Sequence, residues 1–478
     1  MSKGPMTNYH SGSFQESVSP PNETHDFDLM RTSPIEDYFY YNDTPGTPMT
    51  YWAAFKIKGK IDRTALEKAF HDAIQRHPLL ISRLSRHSGS RLFWKLPHNP
   101  TIPCVKWLKA QLITEGLRLK YLDLMTQPGL DIQVYVGPES SWLYFLFHHT
   151  CTDGLGALEF SFDFFWFYSS HIKKQTSDGG PEPNDEKSLG LRAQLGLGHK
   201  DWIRRILRLR YSPKSIWGYL SKTPVTIQPM IQHKKRRPPS RKPGLSMTGR
   251  LSRTDTDVIL SLAKAEKVSF NSFLLAQLFI HISKWRKEKG TCLPDDILRI
   301  MIPVNQRGLH TMNMGACNMA TPLFITDQAQ NTGSYRHYAR VIHNKIKKER
   351  KIQADLSFLL GINAYRKIPG LLAKTITANK LPTTAILSNI GNLTKDPMKK
   401  HATDLTIGEV TITDLVVILP VWPNAQVVLL VYVFGGELRL SMAYDTLAFN
   451  QKQARHFFDS YCDRLRSVAC QNSDVPEE

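Results

Sequence analysis

The order of apolar and polar positions divides the chain into alternating strand and helix segments. In IDRTALEKAFHDAIQRHPLL, the apolar residues Leu66, Phe70 and Ile74 recur at helical spacing. Asp62 stands at the expected N-cap, and Pro78 ends the helix. Apolar runs between turn residues predict strands at YWAAFKIKG, RLFWKL, DIQVYVG and SWLYFLF. The run LGALEFSFDFFWFYSSHI then predicts an apolar helix.

The second half of the chain mixes strands and helices in a similar way. Helices are predicted after a cap at Ser269 or Asn271, across 334–379 with an interruption near Pro369, and at NQKQARHFFDSYCDRLRSV. Strands are predicted at LRIMIPVNQRG, TTAILSNIG, DLVVILPV, AQVVLLVYVFGG and ELRLSMAYD. Residues 415–434 are largely apolar, but Pro420 and a following Trp-Pro-Asn break them. We therefore expect two strands there and no membrane span.

The length and composition favour two lobes. At 478 residues the chain is too long for one ordinary core, and its 41% apolar content is that of a globular protein. The expected organisation is a disordered leader at 1–28, an N-terminal lobe at 29–198, a basic linker at 199–245 and a C-terminal lobe at 246–478.

Much of the net charge of +20 lies in one segment. Residues 199–242 hold thirteen Lys or Arg residues against the single acidic residue Asp201. The stretch DWIRRILRLRYSPKSIWGYL sets Trp202 and Trp217 among arginines, a pattern typical of an amphipathic helix on an anionic membrane. Three interpretations stay open: a solvated linker, a peripheral membrane surface, or a docking site for an acidic partner. Because no nucleic-acid-binding module is recognisable, we expect no nucleic-acid partner.

The cysteines and the N-terminal residues indicate in which cellular compartment the protein is located. The six cysteines have no CxxC pairing and no metal-finger spacing, which fits free thiols in a reducing environment. Residues 1–25 lack the apolar core of a signal peptide. We therefore expect a cytoplasmic monomer, with peripheral membrane attachment as the open alternative.

Two adjacent histidines follow the apolar run SWLYFL. A histidine at the end of a strand is held rigidly, and because the pKa of an unperturbed imidazole lies near ~6.5, its neutral form can act as a general base. A buried structural pair is the competing interpretation. A metal site from His148, His149 and Asp153 is a third, although adjacent histidines seldom both reach one ion. Cys151, inside the same stretch, is a candidate nucleophile.

The segment HHTCTDG has the HHxxxDG pattern, and the chain resembles the chloramphenicol acetyltransferase-like superfamily. That group includes condensation domains of nonribosomal peptide synthetases, wax ester synthases and polyketide-associated acyltransferases. IDRTALEKAFHDAIQRHPLL, IPVNQRG, SNIGNL and ELRLSMAYDTLAFNQKQA are similar to further family segments and occur in the family order. The resemblance implies an α/β fold of two lobes, each a mixed β-sheet flanked by helices, with a tunnel between them.

The resemblance also implies roles for individual residues. His149 is the expected general base, and His148 is expected to be structural. Asp153 is expected to point away from the substrate and to pair with an arginine of the second lobe. The preferred partner is Arg307, and the alternatives are Arg76 and Arg83.

Three further positions follow from the same resemblance. Gly154 is expected to keep the space behind the histidine clear. Ser388 and Asn389 are candidate donors of hydrogen bonds to a tetrahedral oxyanion, with a strand-end turn as the competing interpretation. The position of Cys151 is variable in the family, and the chemistry requires no acyl-enzyme.

The implied activity is transfer of an acyl group from a thioester to a hydroxyl or amine of a small molecule or lipid. Acyl-CoA is the expected donor, because a basic protein attracts this polyanion. The alternative is a condensation enzyme that takes its donor from an acyl carrier protein and forms an amide or ester. No cofactor and no metal are expected beyond the co-substrate. A non-catalytic, membrane-associated binding protein of the same fold is the competing function, but the intact HHTCTDG favours the enzyme.

Overall fold

The computed structural model describes residues 27–87, 91–98, 102–111, 117–173, 181, 186–207, 222–229, 246–308, 314–329, 334–377, 383–394, 404–423 and 425–471. Two six-stranded mixed sheets form the centre of the protein, and helices flank them. The α/β class and the two-lobed arrangement predicted from the sequence are confirmed.

In the described ranges, strands and helices are numbered in chain order. The strands are β1 Phe27–Arg31, β2 Thr50–Lys58, β3 Arg83–His87, β4 Arg91–Pro97, β5 Lys106–Leu108, β6 Leu130–Val136, β7 Ser140–His148, β8 Met247–Arg250, β9 Ile297–Asn305, β10 Ala320–Gln328, β11 Ala385–Asn392, β12 Leu405–Ile407, β13 Val410–Ile418, β14 Val427–Phe434 and β15 Glu437–Tyr444. The helices are α1 Pro34–Asn42, α2 Arg63–Gln75, α3 Gly154–Lys173, α4 Glu186–Gly190, α5 His199–Leu207, α6 Arg253–Ala265, α7 Phe270–Glu288, α8 Tyr335–Lys351, α9 Ala354–Tyr365, α10 Leu371–Thr377 and α11 Gln451–Cys470. Short 3₁₀ turns lie at Pro78–Leu80 and Leu191–Gln194.

The second half of the chain contributes the β12–β13 hairpin to the first large sheet. The first sheet has the order β12-β13-β2-β7-β6-β5, and the second has the order β10-β9-β11-β14-β15-β8. β13 pairs antiparallel with β2, so the C-terminal half of the chain completes the first sheet. The two strands predicted in the apolar run 415–434 are therefore present, but they belong to different sheets. β7 lies inside the first sheet, between β2 and β6, and nearly all of its residues are buried.

Several helix boundaries follow the local sequence signals. The Asp62 side chain accepts a hydrogen bond from the backbone N–H of Ala65 at 2.9 Å, as expected of the N-cap of α2. Ser269 caps α7 in the same way through the N–H of Ser272. The predicted helical region 334–379 contains α8, α9 and α10. It breaks near Pro369, as predicted, and also at Gln353, which has a left-handed φ of 53°.

The expected leader at 1–28 ends inside a strand, because Phe27 and Asp28 belong to β1; residues 1–26 lie outside the described residues. The boundaries of the two lobes and of the linker stay predictions. α5 forms the start of the basic segment, while 208–221 and 230–245 lie outside the described residues. Among the helices that the structure describes, none is long and apolar enough to cross a membrane.

Candidate active site

The loop between β7 and α3 fixes His149 at the end of a buried strand. The backbone N–H of His149 donates to the carbonyl of Met49 at 2.7 Å, and the N–H of His148 donates to the carbonyl of Gly129 at 2.8 Å. α3 begins at Gly154. The sequence-predicted order of strand, tight loop and helix is confirmed.

Aromatic side chains enclose the His149 imidazole. Phe39 of α1 stacks on it at 4.1 Å between ring centroids, and Tyr51 of β2 and Trp422 contact it edge-on at 5.3 and 6.2 Å. Its Nδ1 atom is buried, and the side chain lines the adjoining cavity. Burial lowers the pKa of His149 to about 4. The imidazole is therefore neutral at physiological pH.

His148 has a different environment. It is fully buried, its Nδ1 accepts from the backbone N–H of Thr150 at 3.1 Å, and its Nε2 lies 3.2 Å from a carboxylate oxygen of Asp43. Cys151 is also fully buried, and burial raises the pKa of its thiol well above the ordinary value. A protonated, enclosed thiol is a poor nucleophile. Both residues therefore support the loop from its interior side.

Asp153 and Arg307 form a bidentate ion pair between the lobes. The two terminal guanidinium nitrogens of Arg307, Nη1 and Nη2, each lie 2.9 Å from a carboxylate oxygen of Asp153. The backbone N–H groups of Gly156 and Met319 donate to the same carboxylate at 2.9 and 2.8 Å. Burial alone would raise the pKa of Asp153, but Arg307 and these amides hold it below its usual value. The pairing predicted from the sequence is confirmed.

The alternative interpretations find no support in this geometry. Arg76 lies 2.7 Å from Asp163, and the side chain of Arg83 is exposed, so neither alternative partner is used by Asp153. His148, His149 and Asp153 have separate surroundings: Asp43, the aromatic rings, and Arg307. The three side chains therefore do not form the ligand set of a metal site.

A connection between β9 and β10 supplies contacts that the sequence did not reveal. The amide of Asn318 donates to the carbonyls of both His149 and Thr150 at 2.9 Å. Arg307 donates to the carbonyl of Cys317 at 2.9 Å, and the backbone N–H of Ala316 donates to His77 at 2.8 Å. These residues of the second lobe hold the histidine loop of the first. No local pattern in MGACNM indicates this, because the contacts depend on how the lobes pack.

A cavity of about 130 Å³ lies beside His149 and is lined by both large sheets. Gly154 and the pair Ser388 and Asn389 of β11 are among its lining residues. The Asn389 side-chain oxygen accepts from the N–H of Gly391 at 2.8 Å, which leaves its amide nitrogen able to donate. A Cβ atom added at Gly154 would meet only Ile390, at an ordinary 3.5 Å. The structure therefore brings all the predicted site residues except the interior His148 to the cavity wall.

The start of the basic segment contacts the same region. Arg205 of α5 donates to the side chains of Gln306 at 2.9 Å and Gln353 at 3.4 Å. Trp202 is partly buried and packs against buried apolar residues of the protein core, so it does not belong to an exposed apolar stripe as the helical pattern predicted. Ile203 and Leu207, which are 41% and 78% exposed, form the outward apolar face.

Comparison with known proteins identifies the fold. No family model matches the sequence, and no curated protein matches it either. The epimerization domain from the third module of tyrocidine synthetase B has a similar structure, with a TM-score of 0.66 and 14% identity over 95% of this chain and 100% of that chain.

Two further structures are similar over comparable lengths. The first condensation domain of the CDA synthetase has a TM-score of 0.67 and 10% identity over 94% of this chain and 98% of that chain. Polyketide synthase associated protein 5 from Mycobacterium tuberculosis has a TM-score of 0.60 and 14% identity over 93% of this chain and 98% of that chain. At these identities, the likeness establishes the shared fold.

Proposed function

We propose that this protein, which has the two-lobed fold of the chloramphenicol acetyltransferase-like superfamily, is an acyltransferase with His149 as its general base. The observation that carries the proposal is the position of a neutral imidazole at the wall of a cavity that both lobes line. A neutral alcohol is a poor nucleophile, and removal of its proton in the transition state accelerates attack by roughly 10²–10⁴-fold.

In the proposed reaction, the imidazole of His149 takes the proton of the acceptor hydroxyl or amine while the acceptor attacks the thioester carbonyl. The new carbon–oxygen or carbon–nitrogen bond forms, and the carbonyl oxygen becomes an oxyanion. Ser388 and Asn389, at the same cavity, are the proposed donors to that oxyanion. When the tetrahedral intermediate collapses, the carbon–sulfur bond breaks and the thiolate takes the proton from His149.

Asp153 and Arg307 have a positioning role in this proposal. Their ion pair joins the loop after β7 to the end of β9, and Arg307 also holds the carbonyl of Cys317. The carboxylate is satisfied by Arg307 and two backbone amides. It therefore orients the loop that carries His149, and no proton relay through Asp153 is part of the mechanism.

The proposed donor is an acyl-CoA, and an acyl carrier protein is the alternative donor. The net charge of +20 favours polyanionic or acidic donors in general. The cysteines are free thiols, which supports the proposed cytoplasmic location. The competing function, a non-catalytic binding protein, is disfavoured by the intact HHTCTDG segment, whose His149 lies at the cavity wall.

The test of the proposal is incubation with a panel of acyl-CoAs and mixed alcohol and amine acceptors, followed by mass spectrometry of the products. His149→Ala should lower kcat/KM by roughly a hundredfold or more, because it removes the base. His71→Ala, which changes an exposed histidine of α2, is the matched control and should retain wild-type activity. Folded His149→Ala protein within about threefold of wild type would contradict the role of His149.

A further inference from the structure

A small apolar recess adjoins the cavity beside His149 and shares lining residues with it. We define this recess by Tyr38, Ile386 and Trp422, which it shares with the main cavity, and by Phe324 and Phe358, which line only the recess. The recess measures about 10 Å³, against about 130 Å³ for the main cavity. A space of that size accommodates roughly one water-sized group. The two phenylalanines therefore line a space far smaller than the main cavity.

A continuous series of aromatic rings leads from the histidine to the recess. Phe39 stacks on His149 and lies 5.3 Å from Trp422 between ring centroids. Trp422 in turn lies 5.9 Å from Tyr38, and Tyr38 meets Phe358 edge-on at 5.6 Å. These rings present apolar surface along the path.

The aromatic pair at the end of the recess is held in place. Phe358 of α9 lies 5.2 Å from Phe324 of β10. α9 is fastened to the second sheet by Asp355, which accepts hydrogen bonds from Gln306 and, at 2.8 Å, from Thr321. Because Asp355 is one turn of helix before Phe358, this anchoring limits the movement of the ring away from the recess.

The cluster of polar side chains lies in the main cavity, while the recess adds only Thr383 to its aromatic and aliphatic residues. Asn305, Arg307, Ser388 and Asn389 supply polar groups to the main cavity, whereas the recess is enclosed mainly by aromatic and aliphatic side chains. An acyl thioester has the same separation, with a polar carbonyl and pantetheine arm at one end and a hydrocarbon chain at the other. A thioester carbonyl placed near His149 can therefore direct its chain along the aromatic rings.

We propose that the recess is the end of the acyl-chain subsite and that Phe358 sets the longest acyl chain the protein accepts. This inference rests on the proposed acyl transfer. Chains that end before Phe358 gain apolar contact with each added methylene, by about fourfold in affinity at the usual transfer free energy. A longer chain has to displace a packed aromatic ring, and its affinity falls.

The test measures binding without turnover. S-alkyl pantetheine thioethers of increasing chain length carry the arm common to coenzyme A and carrier proteins, and titration calorimetry gives their dissociation constants. For the wild type we expect affinity to rise with chain length and then to fall beyond a limit. Phe358→Ala should move this limit to longer chains, and Phe358→Trp should move it to shorter ones.

Leu359→Ala is the matched control, because Leu359 is buried on the same helix but lines a different cleft. It should leave the chain-length limit unchanged. Affinity independent of chain length in the wild type, or an unchanged limit in both folded Phe358 variants, would overturn the subsite. A change in acceptor preference with an unchanged alkyl limit would overturn it too, by assigning the recess to the acceptor.

The same measurements separate this inference from the proposed function. If no donor and acceptor give a product while the Phe358 variants still shift the alkyl limit, the subsite stands and acyl transfer fails. If transfer occurs and the chain-length profile of kcat/KM is the same in wild type, Phe358→Ala and Phe358→Trp, acyl transfer stands and the subsite fails.

Discussion

His149 is neutral because it is surrounded by rings and not by charges. Phe39, Tyr51 and Trp422 displace the water that would stabilise an imidazolium, and this desolvation lowers the pKa of His149 to about 4. A base with so low a pKa binds a proton more weakly than an ordinary histidine does. In return, the whole population is in the deprotonated, reactive form across the physiological pH range.

This pKa gives the first prediction, for the pH dependence of the activity. Protonation inactivates the base, so kcat/KM should fall on the acid side only as the pH approaches about 4. Between pH 5.5 and 7.5, titration of His149 should cause no change in kcat/KM. Steady-state rates over this range, with circular dichroism at each pH as the folding control, check the expectation. An acid limb centred near the unperturbed histidine value of ~6.5 would contradict it.

The second prediction at this scale concerns the ion pair. Asp153→Asn leaves Arg307 with an uncompensated charge, and breaking a buried pair in this way costs about 3–5 kcal/mol. We expect a lower free energy of unfolding, measured in urea, and reduced transfer. The double variant Asp153→Asn/Arg307→Gln should recover part of that free energy, because both charges are gone. Unchanged stability of Asp153→Asn would rule out a structural role for the pair.

At the scale of elements, the first turn of α3 is shaped by two glycines with different tasks. Gly156 lies between its own loop and the second lobe: an added Cβ would meet the hydroxyl of Thr152 first, and would stand 2.9 Å from the carbonyl oxygen of Cys317 and 3.0 Å from the guanidinium of Arg307. Gly154 borders the cavity, where an added Cβ has room. The close approach at Gly156 was not anticipated from HHTCTDG, which ends at Gly154.

We therefore predict that alanine at Gly156 lowers stability, whereas alanine at Gly154 lowers activity. Gly156→Ala should lower the thermal unfolding midpoint, because overpacking at a close contact typically costs about 1–3 kcal/mol. Gly154→Ala should keep the wild-type midpoint and instead reduce kcat/KM by narrowing the cavity. Differential scanning calorimetry and rate measurements on both variants separate the effects. A Gly156→Ala protein with the wild-type unfolding midpoint would contradict this prediction. It would show that the neighbouring groups can move apart there without loss of stability.

At the scale of the whole molecule, α5 connects the basic segment to the active-site region. One side of the helix is fixed to the body of the protein through Trp202 and through the hydrogen bond from Arg205 to Gln306. The outward side carries exposed Ile203 and Leu207 beside Lys200 and Arg204. A surface of this kind can lie on an anionic bilayer, where long-chain substrates partition.

We predict salt-sensitive, peripheral binding to anionic vesicles through this outward face. Each basic residue near such a surface contributes roughly 1 kcal/mol at moderate salt. The protein should co-sediment with phosphatidylserine vesicles at low salt and be released at high salt, and Ile203→Ser/Leu207→Ser should weaken the binding. Leu293→Ser, at another exposed leucine, is the control and should bind as the wild type does. Wild-type protein that stays in the supernatant at low salt would contradict membrane attachment.

The sequence by itself determined the elements and the position of the histidine. The N-caps Asp62 and Ser269, the buried run of β7 and the helix after Gly154 are set by neighbouring residues, whose spacing and capping act over a few positions. The pairing of Asp153 with Arg307 was also found from the sequence, but through a family resemblance and not through spacing.

Only the tertiary structure decided what surrounds the histidine. Phe39, Tyr51 and Trp422 come from α1, β2 and the connection after β13, and they meet because β13 pairs with β2 across more than half of the chain. Asn318 reaches the histidine loop because the second lobe packs against the first. Such contacts leave no periodic trace in the sequence, since they depend on strand pairing and packing between distant segments. The pKa of His149 and the small recess beside Phe358 are consequences of that packing.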